Sequence, residues 1–301
     1  RRPNCFPLTI NLVVPMPIHE PSDLLPENEP LPPAVLTIAG SDPSGGAGLQ
    51  ADMKTFQALG TYGMSVLTVA TDCETKTGVQ EVKAFPPSFV DRQLERVTSD
   101  ILPQAIKTGM LYSRALIETV TAYVRADPRP WFVLDPVMTT RRGEALLPEA
   151  AESALRYDLL PLADVLTPSI PEAERLLQRS INSAPEREVA ARSLADAGPQ
   201  AVVVTGGHAQ GPASDCAVIN GQLMWFESER RDVTMHGAGD TFSAALTAAL
   251  AHGLSLPKAV RNAKQFVAQS IQLAPNRGRG TTPPGHACLS DDSALRTTPA
   301  D

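Results

Sequence analysis

The stretch Ala34-Val-Leu-Thr-Ile-Ala-Gly-Ser-Asp-Pro-Ser-Gly-Gly-Ala-Gly48 decides the fold class of this 301-residue chain. Its first six residues form a continuous apolar run, which is typical of a strand buried on both faces of a parallel sheet. A glycine-rich turn follows, and a helix is predicted from Leu49 to Leu59. A buried strand, a tight turn and a helix in this order indicate an α/β protein.

Strands and helices continue to alternate along the chain. Further buried strands are predicted at residues 64–70, 131–135, 164–167 and 201–205. Further helices are predicted at residues 89–99, 113–125, 238–252 and 257–273. The pair Asn220-Gly221 predicts a two-residue hairpin turn between strands at 215–219 and 223–226. This order predicts a mostly parallel, doubly wound sheet with helices on both faces.

Polar residues and glycines stand where several of these strands end. Asp135, Thr167 and Thr205 each end a buried strand, and Gly206-Gly207 follows the last of them. Ligands of doubly wound sheets bind beyond the carboxyl ends of the strands. We therefore expect these residues to meet at one ligand-binding edge of the sheet.

Composition excludes several classes of function. The formal net charge of -7 argues against a nucleic-acid partner, which would favour a basic surface. No apolar run is long enough to span a bilayer, so no membrane association is expected. The four cysteines, Cys5, Cys73, Cys216 and Cys288, are scattered and contain no C-x-x-C pair. This predicts neither a zinc site nor a disulfide framework, and favours a reducing cytoplasm.

The chain divides into three parts by composition. Residues 1–33 are rich in proline and acidic, which predicts a flexible N-terminal extension rather than a signal peptide. Residues 34–290 carry the α/β pattern and predict a single domain. Residues 291–301 are expected to be a flexible C-terminal tail.

The most informative motif for function is His236-Gly-Ala-Gly-Asp240, which opens the predicted helix at 238–252. The first amides of a helix lack partners within it, and the helix dipole adds positive charge there. Gly237, Ala238 and Gly239 therefore predict an anion hole, above all for phosphate. Asp240 beside it suggests a base that deprotonates a hydroxyl during phosphoryl transfer. The alternative is that Asp240 only stabilises the start of the helix.

Other candidate residues each have a structural alternative. The turn that begins at Gly40 lacks the ending of a P-loop. It is either another kind of ligand-binding loop or a tight turn between a strand and a helix. Asp52 either stabilises a helix dipole or accepts a hydrogen bond from a small polar substrate. Asp135 either caps a turn or organises magnesium and phosphate. Glu172 either stabilises the first turn of a helix or contributes to a magnesium site with Asp135.

Two lysines are weaker candidates. Lys107, in Lys107-Thr-Gly-Met110, follows a short strand and is interpreted as a surface or packing residue. Lys264 lies on the last predicted helix, where a lone lysine is usually solvated.

From Ala34 to about His286 the chain resembles the vitamin kinases of the ribokinase superfamily. The resemblance is greatest to hydroxymethylpyrimidine/phosphomethylpyrimidine kinases of thiamine biosynthesis and to the related bacterial pyridoxal kinases. It rests on an ordered set of motifs: Leu36 to Phe56, Tyr62-Gly63, Lys107-Thr-Gly-Met-Leu111, Asp135-Pro-Val-Met138, Thr167-Pro168, Pro171-Glu172-Ala173, Gly206-Gly207-His208, His236-Gly-Ala-Gly239 and the tail from Gly278-Arg-Gly280 to His286.

The resemblance implies a ribokinase-like three-layer sandwich and a reaction in which a pyrimidine CH2-OH attacks the γ-phosphate of ATP. It further implies Mg²⁺, allows a monovalent cation, and suggests a homodimer. It places Gly40, Ala47, Asp52 and the position of Cys73 in the substrate pocket, and Gly237, Ala238 and Gly239 in the anion hole. It also places Asp135 and Glu172 near magnesium, and assigns nucleotide and phosphate contacts to Asp135, Thr167, Thr205, Gly207 and Lys264.

Four residues depart from the family pattern. At the position of Asp240, kinases of this branch usually carry a Cys, whereas the wider superfamily carries an Asp that acts as the base. The family's pyrimidine-binding Gln falls at Cys73, although a one-residue insertion leaves Asp72 or Glu74 as alternatives. Ser169 replaces an Asn, and Thr205 replaces a phosphate-side Lys.

These departures leave three hypotheses open. The first is a hydroxymethylpyrimidine and phosphomethylpyrimidine kinase. The second is a pyridoxal kinase, which Met64 and the form His236-Gly-Ala-Gly239 favour, while the missing Gln weakens the pyrimidine case. The third is a non-catalytic vitamin sensor that keeps the fold, against which the glycine hole and Asp240 argue.

Overall fold

The computed structural model describes residues 30–126, 129–140, 143–207, 212–231, 235–275 and 277–286. A compact unit begins at Pro32. Most of the expected extension at 1–33 and the whole expected tail at 291–301 lie outside the described residues, as does His208. Within the described ranges, each helix is too short or too polar to traverse a lipid bilayer.

Nine strands of the described residues form one sheet. The strands are β1 (Ala34–Ser41), β2 (Tyr62–Glu74), β3 (Gly78–Ala84), β4 (Ala105–Thr108), β5 (Trp131–Leu134), β6 (Val165–Leu166), β7 (Ala201–Val204), β8 (Ala213–Ile219) and β9 (Gln222–Ser228). Their order is β3-β2-β1-β4-β5-β6-β7-β8-β9. The six central strands are parallel, and β3, β8 and β9 are antiparallel to their neighbours. The predicted parallel sheet is confirmed.

Helices cover both faces of this sheet. They are α1 (Gly48–Ala58), α2 (Pro87–Asp100), α3 (Arg114–Val124), α4 (Glu149–Ala154), α5 (Ile170–Leu177), α6 (Ala184–Ala195), α7 (Ala238–Ala251) and α8 (Leu256–Gln272). A short π-helical and 3-10 segment, Leu155–Leu159 and Leu160–Leu162, continues α4. The doubly wound three-layer arrangement is therefore confirmed.

Alternate side chains of each central strand enter different cores. Val35 and Val133 pack with Phe242 of α7 on the face that α1, α7 and α8 cover. Leu36 and Ile106 pack on the opposite face, which α2 to α6 cover. Strands β1, β4, β5, β6 and β7 are buried on both faces, which explains their continuous apolar sequences. The arrangement holds the start of α7 at the carboxyl edge of the central strands.

Candidate active site

A cavity of about 420 Å³ lies beyond the carboxyl ends of the parallel strands. It is lined by residues from the turn after β1, the ends of β2 and β5, and the starts of α5 and α7. Every site residue predicted from the sequence lines this cavity except Asp52. The lining residues among them are Gly40, Ala47, Cys73, Asp135, Thr167, Glu172, Thr205, Gly207, Gly237, Ala238, Gly239, Asp240 and Lys264.

The N-terminus of α7 opens into the cavity. Gly237 has a φ of 87° and precedes the first helical residue, Ala238. The Thr241 amide donates the first helical hydrogen bond, to the Gly237 carbonyl at 2.9 Å. The preceding amides of Ala238 and Gly239 therefore have no carbonyl within the helix to bind. These two amides lie where the sequence predicts an anion hole.

Asp240 lies on the first turn of α7, and its side chain is 17% exposed. Its Oδ1 is 3.6 Å from the Nζ of Lys107, on β4. The carboxylate is thus held from below by a cation while it faces the cavity. This is a suitable position for a base that accepts a proton from a bound hydroxyl.

Lys107 is a buried residue, which excludes the surface position that the sequence left as one alternative. Its side chain is fully buried, and its Nζ lies 2.5 Å from Asp52 Oδ1 and 3.9 Å from Asp135 Oδ2. Burial alone would lower the pKa of Lys107, but the charges of Asp52, Asp240 and Asp135 raise it above its usual range. The lysine is therefore a permanent cation beneath the cavity.

Asp52 also differs from its expected position in the substrate pocket. Its carboxylate is fully buried beneath the cavity and binds Lys107 and the Thr37 hydroxyl, which donates at 2.6 Å. Burial raises its pKa to about 6, although the charge of Lys107 opposes that shift. Asp52 is thus a partner of Lys107 rather than a residue that can contact substrate directly.

Asp135 and Glu172 are two buried carboxylates at the cavity wall. Asp135 Oδ2 accepts a hydrogen bond from the Ser243 hydroxyl at 2.7 Å. Glu172 Oε2 accepts hydrogen bonds from the Ser169 amide and hydroxyl, at 2.8 and 2.6 Å, and the bond from the amide is part of a capping box at the start of α5. Burial raises both pKa values; Lys107 opposes the shift at Asp135, and Ser169 opposes it at Glu172. The helix-stabilising role of Glu172 coexists with its place in the cavity wall.

The nucleotide-side candidates surround the ends of β6 and β7. Thr167 and Thr205 bind neighbouring backbone through their amides, to the carbonyls of Leu134 and Pro168. Lys264 lies 2.8 Å from Asp215 Oδ2, and Asp215 Oδ1 accepts the Gly206 amide. Lys264 is therefore ion-paired at the cavity wall, unlike the solvated lysine that its sequence context suggests.

Asp42 is a structural residue that the sequence analysis missed. Its carboxylate accepts hydrogen bonds from the Ser44 amide and hydroxyl and from the amides of Gly46 and Ala47, at 2.8 to 3.2 Å. It also lies 3.1 Å from His236 Nε2. The signal was present, because Asp two residues before Ser in a glycine-rich loop is typical of an Asx turn. Asp42 thus organises the loop after β1 and joins it to the start of α7.

The ion pair between His236 and Asp42 predicts that stability depends on pH. Burial would lower the pKa of His236, but hydrogen bonds to Asp42 and Cys73 and nearby negative charge raise it to about 10. The unfolded value is near 6.5, so this stabilisation is complete below about pH 6.5 and is lost towards pH 10. Between pH 6.5 and 10, we expect the free energy of unfolding of His236→Gln to fall by roughly 2 kcal/mol less than that of the wild type.

Chemical denaturation between pH 6.5 and 10 measures this effect. His252→Gln is the matched control, because His252 Nε2 contacts the Leu59 carbonyl rather than a carboxylate. If the free energy of unfolding of His236→Gln falls with pH as steeply as that of the wild type, the ion pair is not the source of the pH dependence.

Cys73, rather than Asp72 or Glu74, faces the cavity. It is buried near the end of β2 and lines the site, whereas Glu74 is exposed and neither neighbour lines the cavity. The register of β2 and β3 shifts at this point, since Asp72 pairs with Glu81 and Cys73 pairs with Val79. The Sγ of Cys73 lies within 4.8 Å of ligand atoms of Asp42 and His236. Asp42 already accepts several hydrogen bonds in this cluster, so its oxygens are engaged by protein groups.

The segment after α8 returns to the site. The amides of Thr281 and His236 donate to the carbonyls of Thr75 and Thr282, each at 3.0 Å. His286 Nε2 lies 3.0 Å from the Thr241 hydroxyl of α7. Residues 277–286 therefore join the loop after β2 to the first turn of α7.

Comparison with known proteins agrees with this geometry. Residues 42–285 match the family model described as phosphomethylpyrimidine kinase. A hydroxymethylpyrimidine/phosphomethylpyrimidine kinase of Staphylococcus aureus is 41% identical over 85% of this chain and 94% of its own. A Haemophilus influenzae kinase of the same description is also 41% identical, over 85% and 97%.

Solved structures are similar over the same region. Pyridoxal kinase of Bacillus subtilis in an ADP complex is 36% identical, with a TM-score of 0.79, and the match covers 86% of this chain and 98% of that one. Pyridoxal kinase of Staphylococcus aureus with AMP-PCP and pyridoxal is 37% identical, with a TM-score of 0.78, over 85% and 94%. Sequence, fold and site agree, and this chain belongs to the phosphomethylpyrimidine kinase family.

Proposed function

We propose that this protein is an ATP-dependent kinase of thiamine biosynthesis. It phosphorylates the hydroxymethyl group of 4-amino-5-hydroxymethyl-2-methylpyrimidine and then the resulting monophosphate. The observation that carries the proposal is the free amide end of α7 beside Asp240 at one cavity. Relatives at 41% identity with this described activity support the choice of substrate.

The residues around Asp240 suggest how the first transfer proceeds. The substrate hydroxyl oxygen attacks the γ-phosphorus of ATP, the bond from that phosphorus to the bridging oxygen breaks, and ADP leaves. Asp240 accepts the hydroxyl proton as the new P–O bond forms. The amides of Ala238 and Gly239 stabilise the negative charge on the transferring group. Gly40, Ala47 and Cys73 line the side of the cavity assigned to the pyrimidine.

Asp135 and Glu172 suit the magnesium ion that accompanies ATP. They are buried carboxylates with raised pKa values, so a divalent cation would offset an unfavourable concentration of negative charge. Mg²⁺ commonly takes one or two carboxylates and completes its shell with water and phosphate oxygens. Bound there, it would neutralise charge on the phosphates. Thr167, Thr205, Gly207 and Lys264 are proposed to contact the nucleotide or its phosphates.

ADP release by the purified wild-type protein tests the function. With Mg-ATP, we expect the release of ADP to require hydroxymethylpyrimidine. We expect a second equivalent of ADP to be released as the monophosphate is consumed. Absence of turnover on both pyrimidines would exclude the proposal. Tight pyrimidine binding without ADP release would instead support the non-catalytic sensor.

Pyridoxal kinase is the second candidate, and Cys73 is the observation that favours it. A thiol cannot supply the paired donor and acceptor with which an amide binds a pyrimidine edge. The similar solved structures include pyridoxal kinases. Relative kcat/KM values for pyridoxal and hydroxymethylpyrimidine, measured under the same conditions, decide between the two.

Assembly and location are also proposals. The family resemblance supports a homodimer and a cytoplasmic enzyme. Sedimentation equilibrium of the purified protein measures the first, and cell fractionation measures the second.

A further inference from the structure

We infer that Lys107, together with Asp52, is a positioning device for Asp240: Lys107 holds the catalytic carboxylate in place, and Asp52 holds Lys107. This inference rests on the proposed role of Asp240 as the base. It assigns a function to two buried residues that do not line the cavity or touch substrate directly.

The position of Lys107 in the sheet is the first step of the argument. It lies on β4 opposite Thr37 of β1 and Val133 of β5. Ala105, two residues earlier on the same face of β4, is fully buried in the apolar core beneath α7. A lysine thus occupies a row of the sheet where an apolar side chain would be expected.

Stability does not explain this choice of residue. Burial of an ammonium and a carboxylate removes both from water, and well-packed apolar residues of similar volume are often as stable or more stable. A merely structural pair would also need only one carboxylate. Lys107 instead lies within 4.0 Å of three, Asp52, Asp135 and Asp240.

Asp52 explains why the lysine stays in place. Its Oδ1 is 2.5 Å from Nζ, and its Oδ2 accepts the Thr37 hydroxyl. Asp52 comes from α1, Lys107 from β4 and Asp240 from α7, so the cluster links three elements that meet below the cavity. Of the three carboxylates, Asp240 is the most exposed and the one on the first turn of α7.

Removal of the two charges together tests the inference. The double variant Lys107→Met/Asp52→Asn leaves no unpaired buried charge from this pair, and the new amide oxygen can still accept the Thr37 hydrogen bond. We expect kcat for hydroxymethylpyrimidine to fall at least about 10-fold, with little change in the KM for ATP. We expect the same double change to have less than a twofold effect in the Asp240→Asn background.

The control is an ion pair at the opposite edge of the sheet. Arg129 Nη1 lies 2.7 Å from Asp164 Oδ2, where β5 and β6 begin. Arg129→Met/Asp164→Asn should change kcat less than twofold in either background, even if it lowers the unfolding temperature. Thermal unfolding of each variant confirms that the folded protein is being assayed.

Three outcomes separate the two proposals. Equal losses of kcat with and without Asp240 would mean that the pair acts through the fold or through Asp135 rather than through Asp240, and would overturn the inference. A wild-type kcat in the Lys107/Asp52 double variant would also overturn it. Full turnover in Asp240→Asn alone would instead remove Asp240 from the role of base.

Discussion

Asp240→Asn is expected to slow phosphorylation of hydroxymethylpyrimidine by about 10³-fold. The amide keeps the size and shape of the side chain but cannot accept the hydroxyl proton. Because the amides of Ala238 and Gly239 are unchanged, the KM for ATP should stay within about threefold of wild type. Steady-state ADP release with varied ATP measures both quantities.

The two transfer reactions should respond differently to this substitution. In the second reaction the attacking oxygen belongs to a phosphate that is already ionised near neutral pH, so a base has little to contribute. We expect phosphorylation of the monophosphate to fall less than about 10-fold. Asp91→Asn, an exposed change on α2, is the control and should have no effect. Equal losses in both reactions would contradict a role for Asp240 as a proton acceptor.

Gly237→Ala is expected to abolish most activity and to destabilise the fold. Gly237 has a φ of 87°, and an added Cβ would lie 1.9 Å from the Gly46 carbonyl oxygen and 2.8 Å from Ala47 Cα. Both neighbours are backbone atoms, so the start of α7 or the loop after β1 must move. We expect turnover to fall at least about 100-fold, as when a donor to the reacting group is lost. We expect a loss of about 3 kcal/mol in the free energy of unfolding.

Two other glycines separate the causes of this effect. Gly253 has a φ of 79° but open space around its Cβ position, so Gly253→Ala measures backbone strain alone, about 1 kcal/mol. Gly239 also has open space, without a positive φ. Gly239→Ala should therefore fold normally, and any loss of activity would report an obstruction of the anion hole itself. Denaturation and ADP release are measured on all three variants. Wild-type stability and turnover in Gly237→Ala would show that the clash is relieved cheaply and would contradict the prediction.

The central fold could be predicted because its strands are buried on both faces. Such strands have continuous apolar sequences, and the predicted runs at 34–39, 131–135 and 201–205 match β1, β5 and β7 closely. Strand β3 was not predicted, because it is an edge strand with mostly exposed side chains. Helix α6 was not predicted either, since charged residues interrupt its apolar face.

The cavity wall was also accessible to sequence reasoning, whereas its charge network was not. Gly237 to Asp240 follow from glycine pattern and helix position, and Asp135 follows from its place after a strand. The ion pairs of Lys107 and Lys264 depend on which elements become neighbours: Lys107 and Asp52 are 55 positions apart in the sequence. Local pattern carries no information on such a pairing, so a buried lysine was interpreted as an ordinary surface or packing residue.

The return of residues 277–286 to the site has a consequence for protein synthesis. These residues bind Thr75, His236 and Thr241, yet they are translated after every strand and helix that the structure describes. Domains emerge from the ribosome in N- to C-terminal order, so the sheet can form while this segment is still unmade. A chain that ends before this segment contains the residues of the hydrophobic core but lacks the contacts that hold the N-terminus of α7. Premature termination within this last segment would yield a folded sheet with an unfinished kinase centre.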